Sequence, residues 1–211
     1  MNPMRWRTLA GGLLILAGVI ALLNSIAGIN LGSYVWAILF VLGGIAFLYV
    51  MATDKSNWWA AIPGFTLVGI GSGIGVAELL PRTADVLTPV FILGGIGIGF
   101  LVVYLLNPSF WWAIIPMGVM LSIVIMIGLE PIIAHAEILF FLGLAATFGV
   151  LALLPINNGK RDTWPLYPAA AMLLLAFING VGETTWAGYL MPVIIILAGG
   201  YLVFRAVRIK A

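Results

Sequence analysis

The chain has 211 residues, of which 64% are hydrophobic and only 8% charged, and its mean hydropathy is +1.21. Soluble domains carry charge on about a quarter of their residues, so the composition excludes a water-soluble globule, and a formal net charge of +2 excludes the basic footprint of a nucleic-acid-binding protein. The absence of cysteine excludes disulfides, thiolate metal sites, a cysteine nucleophile and S-acylation.

The apolar runs are continuous, whereas the strands of a transmembrane barrel alternate apolar and polar residues, so the spans are expected to be helices. At about 20 apolar residues per crossing, polar punctuation predicts eight spans. The first, about 8–28, follows MNPMRWR and carries Trp6 at its start. It has the look of a secretory signal with Ser25-Ile26-Ala27 as a cleavage context, but it is in register with later segments and is expected to be retained. The second, 34–52, contains FVLGG from Phe40. The third, 58–78, opens with NWWAAIPG, bearing Trp59 and Pro63, contains Gly71 and Gly75 in GxxxG spacing, and ends at Glu78. The fourth, 86–105, follows Arg82 and Asp85 and contains FILGG from Phe91 with a second GxxxG at Gly95 and Gly99.

The fifth span, 110–129, opens with SFWWAIIPMG, bearing Trp112 and Pro116, and ends at Glu130. His135 and Glu137 lie about the start of the sixth, 133–154, which carries FFLGL from Phe140. Lys160 and Arg161 precede the seventh, 164–181, whose TWPLYPAA contains Trp164 and Pro168 and which leads to Glu183. The eighth, 186–206, holds IILAGG from Ile195 and is followed by Arg208 and Lys210.

Trp6, Trp59, Trp112 and Trp164 recur at separations of 53, 53 and 52 residues. Short connections favour antiparallel neighbours. The expected fold is thus an all-α integral membrane protein, one transmembrane domain over 1–211, built as four tandem helical hairpins of about 53 residues with units near 1–53, 54–106, 107–158 and 159–211. Eight of the nine basic residues (Arg5, Arg7, Lys55, Lys160, Arg161, Arg205, Arg208 and Lys210) fall on the side of the termini and even-numbered loops. The excess of bases predicts that this side, with both termini, is cytoplasmic. The other side holds Arg82 and five of the seven acids, Glu78, Asp85, Glu130, Glu137 and Glu183.

The repeated tryptophans fit interfacial anchors, an apolar ring with one N–H donor at headgroup level, in preference to an aromatic ligand cage. The prolines four residues later fall where a missing amide donor costs little. Gly71, Gly75, Gly95 and Gly99 are expected at helix contacts, where small residues let backbones approach, within the chain or between copies of it. Glu78, Glu130 and Glu183 are the sharpest polar feature. The 19 residues from Trp59 to Glu78 span about 28 Å of helix, which puts these carboxylates near the outer interface, either as solvated helix ends or as an outward-facing interaction or cation site. No charged residue lies mid-span, where it would indicate an ion path. The His135, Glu130 and Glu137 trio is expected to be a titrating surface histidine with acidic neighbours and not a metal site. No nucleophile–base pair is evident, so neither catalytic residues nor cofactors are expected.

The recurring WxxxPxG and FxLGG segments, clearest in MRWRTLAGGLLILAGVIALLNSIAGINLGSYVWAILFVLGGIAFLYV and extended in WWAIIPMG and FFLGLAATFGVLALLP, resemble the bacterial LiaI/LiaF-type transmembrane region over nearly the whole chain. The resemblance implies a multipass protein of the bacterial cytoplasmic membrane that anchors or modulates envelope-stress signalling, without catalytic residues, and no counterpart of the soluble C-terminal domain of the LiaF type is expected. The expected partners are the lipid bilayer, further copies of the chain and other membrane or envelope proteins. A small transporter or channel with parallel repeats is the competing expectation.

Overall fold

The computed structural model describes residues 31–157 and 160–180, together with single helical positions at 15, 18, 19, 22, 25, 193, 196 and 199. Apart from those positions the first and last predicted spans lie outside the described residues, as do Trp6 and Glu183. The described fold is helical: α1 Leu31–Thr53, α2 Ala61–Leu79, α3 Ala84–Leu106, α4 Ile114–Leu129, α5 Glu137–Leu153 and α6 Leu166–Gly180. A minor two-stranded ladder, β1 Pro155–Asn157 antiparallel to β2 Lys160–Arg161, joins α5 to α6. It was not among the expected elements. Pro155 stops the helix and Asn158-Gly159 in the sequence is a strong hairpin signal.

Four segments are long and apolar enough to cross a membrane: Gly32–Thr53, Lys55–Leu79, Ala84–Leu106 and Trp111–Leu129. The other two, α5 and α6, are apolar but have only 17 and 15 residues. The sixth predicted span is shortened at its start because residues 130–136 form turns, in which His135 takes a left-handed φ of 62°.

Short-range chemistry explains the helix starts. 3₁₀ segments lead into α2 and α4: Lys55–Ala60, six residues kinked at Asn57, and the single turn Trp111–Ala113. The Asp54 carboxylate accepts from the Ser56 amide at 2.9 Å and from its hydroxyl at 2.6 Å, and the Asn107 carbonyl oxygen accepts from the Ser109 amide at 3.1 Å and hydroxyl at 2.7 Å. These are the same side-chain turn, made in one loop by an acid and in the next by an amide. Pro63, Pro116 and Pro168 are each the third residue of their helix, within the first turn, whose amides have no helical partner.

The two hydrogen bonds from Ser56 hold the exposed Asp54 carboxyl below its ordinary pKa. A depressed carboxylate pKa contributes stability that is complete above the unfolded-state value and is lost as pH falls through the folded one. Acidification into that window should therefore lower the protection of the Ser56 amide relative to its intrinsic exchange rate at each pH, and Asp54→Asn should remove this pH dependence; an unchanged profile in the variant would refute the assignment.

Each helix packs chiefly on its sequence neighbours, α1 on α2, α2 on α3, and so on to α6. The pairings run antiparallel: on α1 and α2, Gly44 meets Gly64 while Ala37 meets Gly71. The interior is made of small residues, with Ala60, Ala61 and Ala113 fully buried and Val103, Leu151 and Pro165 the largest buried side chains. Large apolar side chains point outward, Trp36 being 60% and Phe177 66% exposed. Small side chains at the helix contacts and large apolar ones outside is the arrangement that hydrocarbon solvent favours.

Candidate functional site

Antiparallel connection gives the array two chemically distinct ends. At one lie the turns at 80–83 and 130–136, with Glu78, Arg82, Asp85, Glu130, His135 and Glu137; at the other lie the segments 54–60, 107–113 and 154–165, with Trp59, Trp112 and Trp164.

At the acidic end, Glu78 is a half-buried residue in the last turn of α2 and Glu130 is exposed just after α4. The single ion pair among the described residues joins His135 Nδ1 to Glu137 Oε1 at 3.2 Å, with both side chains about half exposed. Glu78 and Arg82, a local pairing the spacing allows, do not form one. No three His, Asp or Glu side chains are grouped to hold a metal among the described residues.

The tryptophan end is more connected than its sequence signal. Trp59, Trp112 and Trp164 remain 48%, 39% and 39% exposed, and each is braced edge-on by a phenylalanine of the preceding helix: Phe47–Trp59 and Phe100–Trp112 at 6.1 Å, and Phe148–Trp164 at 6.4 Å between ring centroids. The preceding residue of each WW pair reaches sideways. Trp58 packs on Phe110 at 4.6 Å and on Trp112 at 6.3 Å, and Trp111 packs on Trp164 at 6.2 Å. One indole of each pair thus clasps the hairpin before it while the other clasps the hairpin after it. Sequence reasoning singled out the outer ring of each pair and missed Trp58 and Trp111, although the doubled tryptophan was itself the available signal.

Between the two ends the contacts are made by glycine. A Cβ on Gly71 would lie 2.5 Å from the Ala37 carbonyl oxygen; on Gly95, 2.5 Å from that of Phe65; on Gly99, 3.1 Å from the Ile62 Cα. Gly75 faces open space, with nothing within 4 Å. Positions outside the two GxxxG spacings are as tight: Gly69 against the Phe91 carbonyl oxygen at 2.5 Å, and Gly44 against that of Gly64 at 2.7 Å. On α4 and α5 the pattern becomes reciprocal, Gly118 lying against the Thr147 side chain and Gly143 against that of Ser122. Both hydroxyls are buried, and each donates to a carbonyl of its own helix, Ser122 to Gly118 at 2.6 Å and Thr147 to Gly143 at 2.8 Å. Thr66 donates likewise to Ile62 at 2.7 Å, and Asn179 to Leu175 at 2.8 Å. These hydrogen bonds satisfy polar groups that lipid could not.

No family model, curated protein or solved structure matches the chain.

Proposed function

We propose that the chain is a non-enzymatic multipass protein of the bacterial cytoplasmic membrane that works by helix–helix and envelope-protein contacts, in the manner of an anchor or sensor of envelope stress. The observation that carries this reading is the division of labour among its polar and small residues. Mid-span hydroxyls at Thr66, Ser122 and Thr147 are committed to backbone carbonyls, glycines serve close contacts, and the described acids lie at or beyond helix ends and not mid-span. Such a molecule is equipped to pack.

In this reading the chain crosses eight times as four parallel hairpins, with both termini cytoplasmic. The repeat is supported by helix starts at Leu31, Ala84 and Glu137, spaced by 53 residues each, and at Ala61, Ile114 and Leu166, spaced by 53 and 52. It is supported too by the recurrent edge-on phenylalanine–tryptophan brace. The orientation rests on the basic residues of the tryptophan end and on the positive-inside rule.

Reporter fusions after Lys55, Lys160 and Lys210 should read cytoplasmic, and fusions near Asp85 and His135 external; an external signal at Lys210 would overturn the span count. Replacing Glu78, Glu130 and Glu183 together by glutamine should leave insertion and stability nearly unchanged, because Glu78 and Glu130 form no ion pair among the described residues and carboxylates at helix ends gain little from local pairs. A cation flux in reconstituted vesicles that this triple change abolishes would make the protein a transporter instead.

A further inference from the structure

Two cations of the tryptophan end, Lys55 and Arg161, belong to no ion pair among the described residues. Lys55 and Arg161 are exposed, and neither belongs to the single ion pair, which lies at the opposite end. Asp54, beside Lys55, accepts hydrogen bonds from Ser56 at both oxygens and makes no ion pair with Lys55. Asp162, next to Arg161, makes no ion pair with it.

Each of these cations is tied in sequence to an interfacial ring. Lys55 precedes Trp59 by four residues and Arg161 precedes Trp164 by three. The rings are held in place by Phe47 and by Phe148 with Trp111, so their depth is set by the protein. An indole that is half exposed at a helix start settles at the level of the lipid glycerol and headgroup. A lysine or arginine one step farther from the bilayer centre extends its charge to the phosphates while its methylene stem follows the apolar surface.

The two ends differ in sign. The acidic end sets Glu78, Asp85, Glu130 and Glu137 against Arg82, a field that repels phosphate. We infer that Lys55 with Trp59, and Arg161 with Trp164, form two headgroup sites for the phosphodiester of anionic membrane lipids. A zwitterionic lipid brings its own cation to the phosphate, whereas an anionic lipid presents an uncompensated charge that Lys55 and Arg161 neutralise. The inference rests on the membrane reading above but not on the proposed role in stress sensing.

The full-length protein, reconstituted in phosphatidylcholine vesicles, is probed with spin-labelled phosphatidylglycerol and spin-labelled phosphatidylcholine, and the ratio of their association constants is read from the motionally restricted component. The ratio should favour phosphatidylglycerol, fall about fivefold for each of Lys55→Gln and Arg161→Gln, and decline with added salt. Glu78→Gln with Glu130→Gln should not lower it. A ratio near one, or a preference that survives the Lys55→Gln/Arg161→Gln double change, would overturn the inference while leaving the membrane reading intact. Absence of restricted lipid of either kind would overturn both.

Discussion

Gly95→Leu should lower the stability of the detergent-solubilised protein by about 3 kcal/mol, while Gly75→Leu should change it by no more than about 0.5 kcal/mol. Both residues stand in a GxxxG spacing, so composition and periodicity assign them the same cost. Their surroundings differ. A side chain at Gly95 starts 2.5 Å from the Phe65 carbonyl oxygen and 3.1 Å from the Gly69 Cα. Both obstacles are backbone, which cannot rotate away, so α2 and α3 must separate and lose the contacts that surround them. A side chain at Gly75 enters open space. Thermal unfolding followed by circular dichroism in one detergent, on both variants side by side, decides the matter; equal losses would mean that α2 and α3 are not seated as described.

The second large effect is expected at the reciprocal contact of α4 and α5. Gly118→Ala forces its new methyl into Thr147, which must leave its rotamer and give up the hydrogen bond to the Gly143 carbonyl oxygen. A loss of about 2 kcal/mol is expected from overpacking together with the unsatisfied hydroxyl. Thr147→Ala removes the obstructing atoms, so the double variant Gly118→Ala/Thr147→Ala should recover much of that loss, with a coupling of about 1 kcal/mol or more in a double-mutant cycle. The mirrored pair, Gly143→Ala with Ser122→Ala, should behave alike. Strict additivity in either cycle would show that the two side chains do not share one space.

The interface chemistry was legible in the sequence because its rules are short in range. A tryptophan at a helix start, a proline in the first turn and a cluster of basic residues each act through the nearest few atoms, so Trp59, Pro63 and Lys55 declared their positions without knowledge of the fold. The glycines were legible as a class and illegible as individuals. Helix α2 has neighbours on both sides and needs a small-residue stripe for each: Gly64 and Gly71 face α1, while Gly69 and Gly73 face α3. Similarly Gly95 and Gly99 face α2, and Gly97, between them, faces Met120 and Leu121 of α4. GxxxG spacing identifies residues on one side of a helix but not which side has a neighbour, so pairing Gly71 with Gly75 joined a contact residue to an open one.

The acids at the helix ends illustrate the opposite case. Sequence placed Glu78 and Glu130 at helix ends from span length alone, but the distance between carboxylates on different hairpins depends on how the helices pack, which hydropathy does not encode. Trp58 and Trp111 escaped notice for the same reason, since their partners Phe110 and Trp164 lie some 50 residues away in the chain.

The serial packing of the helices also fixes how the molecule responds to force. Among the described helices each is gripped chiefly by the one before and the one after, so tension applied at one end of the array falls on a single interface at a time, as on the teeth of a zip. Extraction proceeds from that end in steps, each releasing a helix while the teeth beyond it stay shut, in keeping with the near-additive energetics of linear repeat arrays. The aromatic clasps at Trp58 and Trp111 sit where one tooth meets the next. A tear started in one hairpin must part the Trp58 contacts with Phe110 and Trp112, or that of Trp111 with Trp164, before it enters the next.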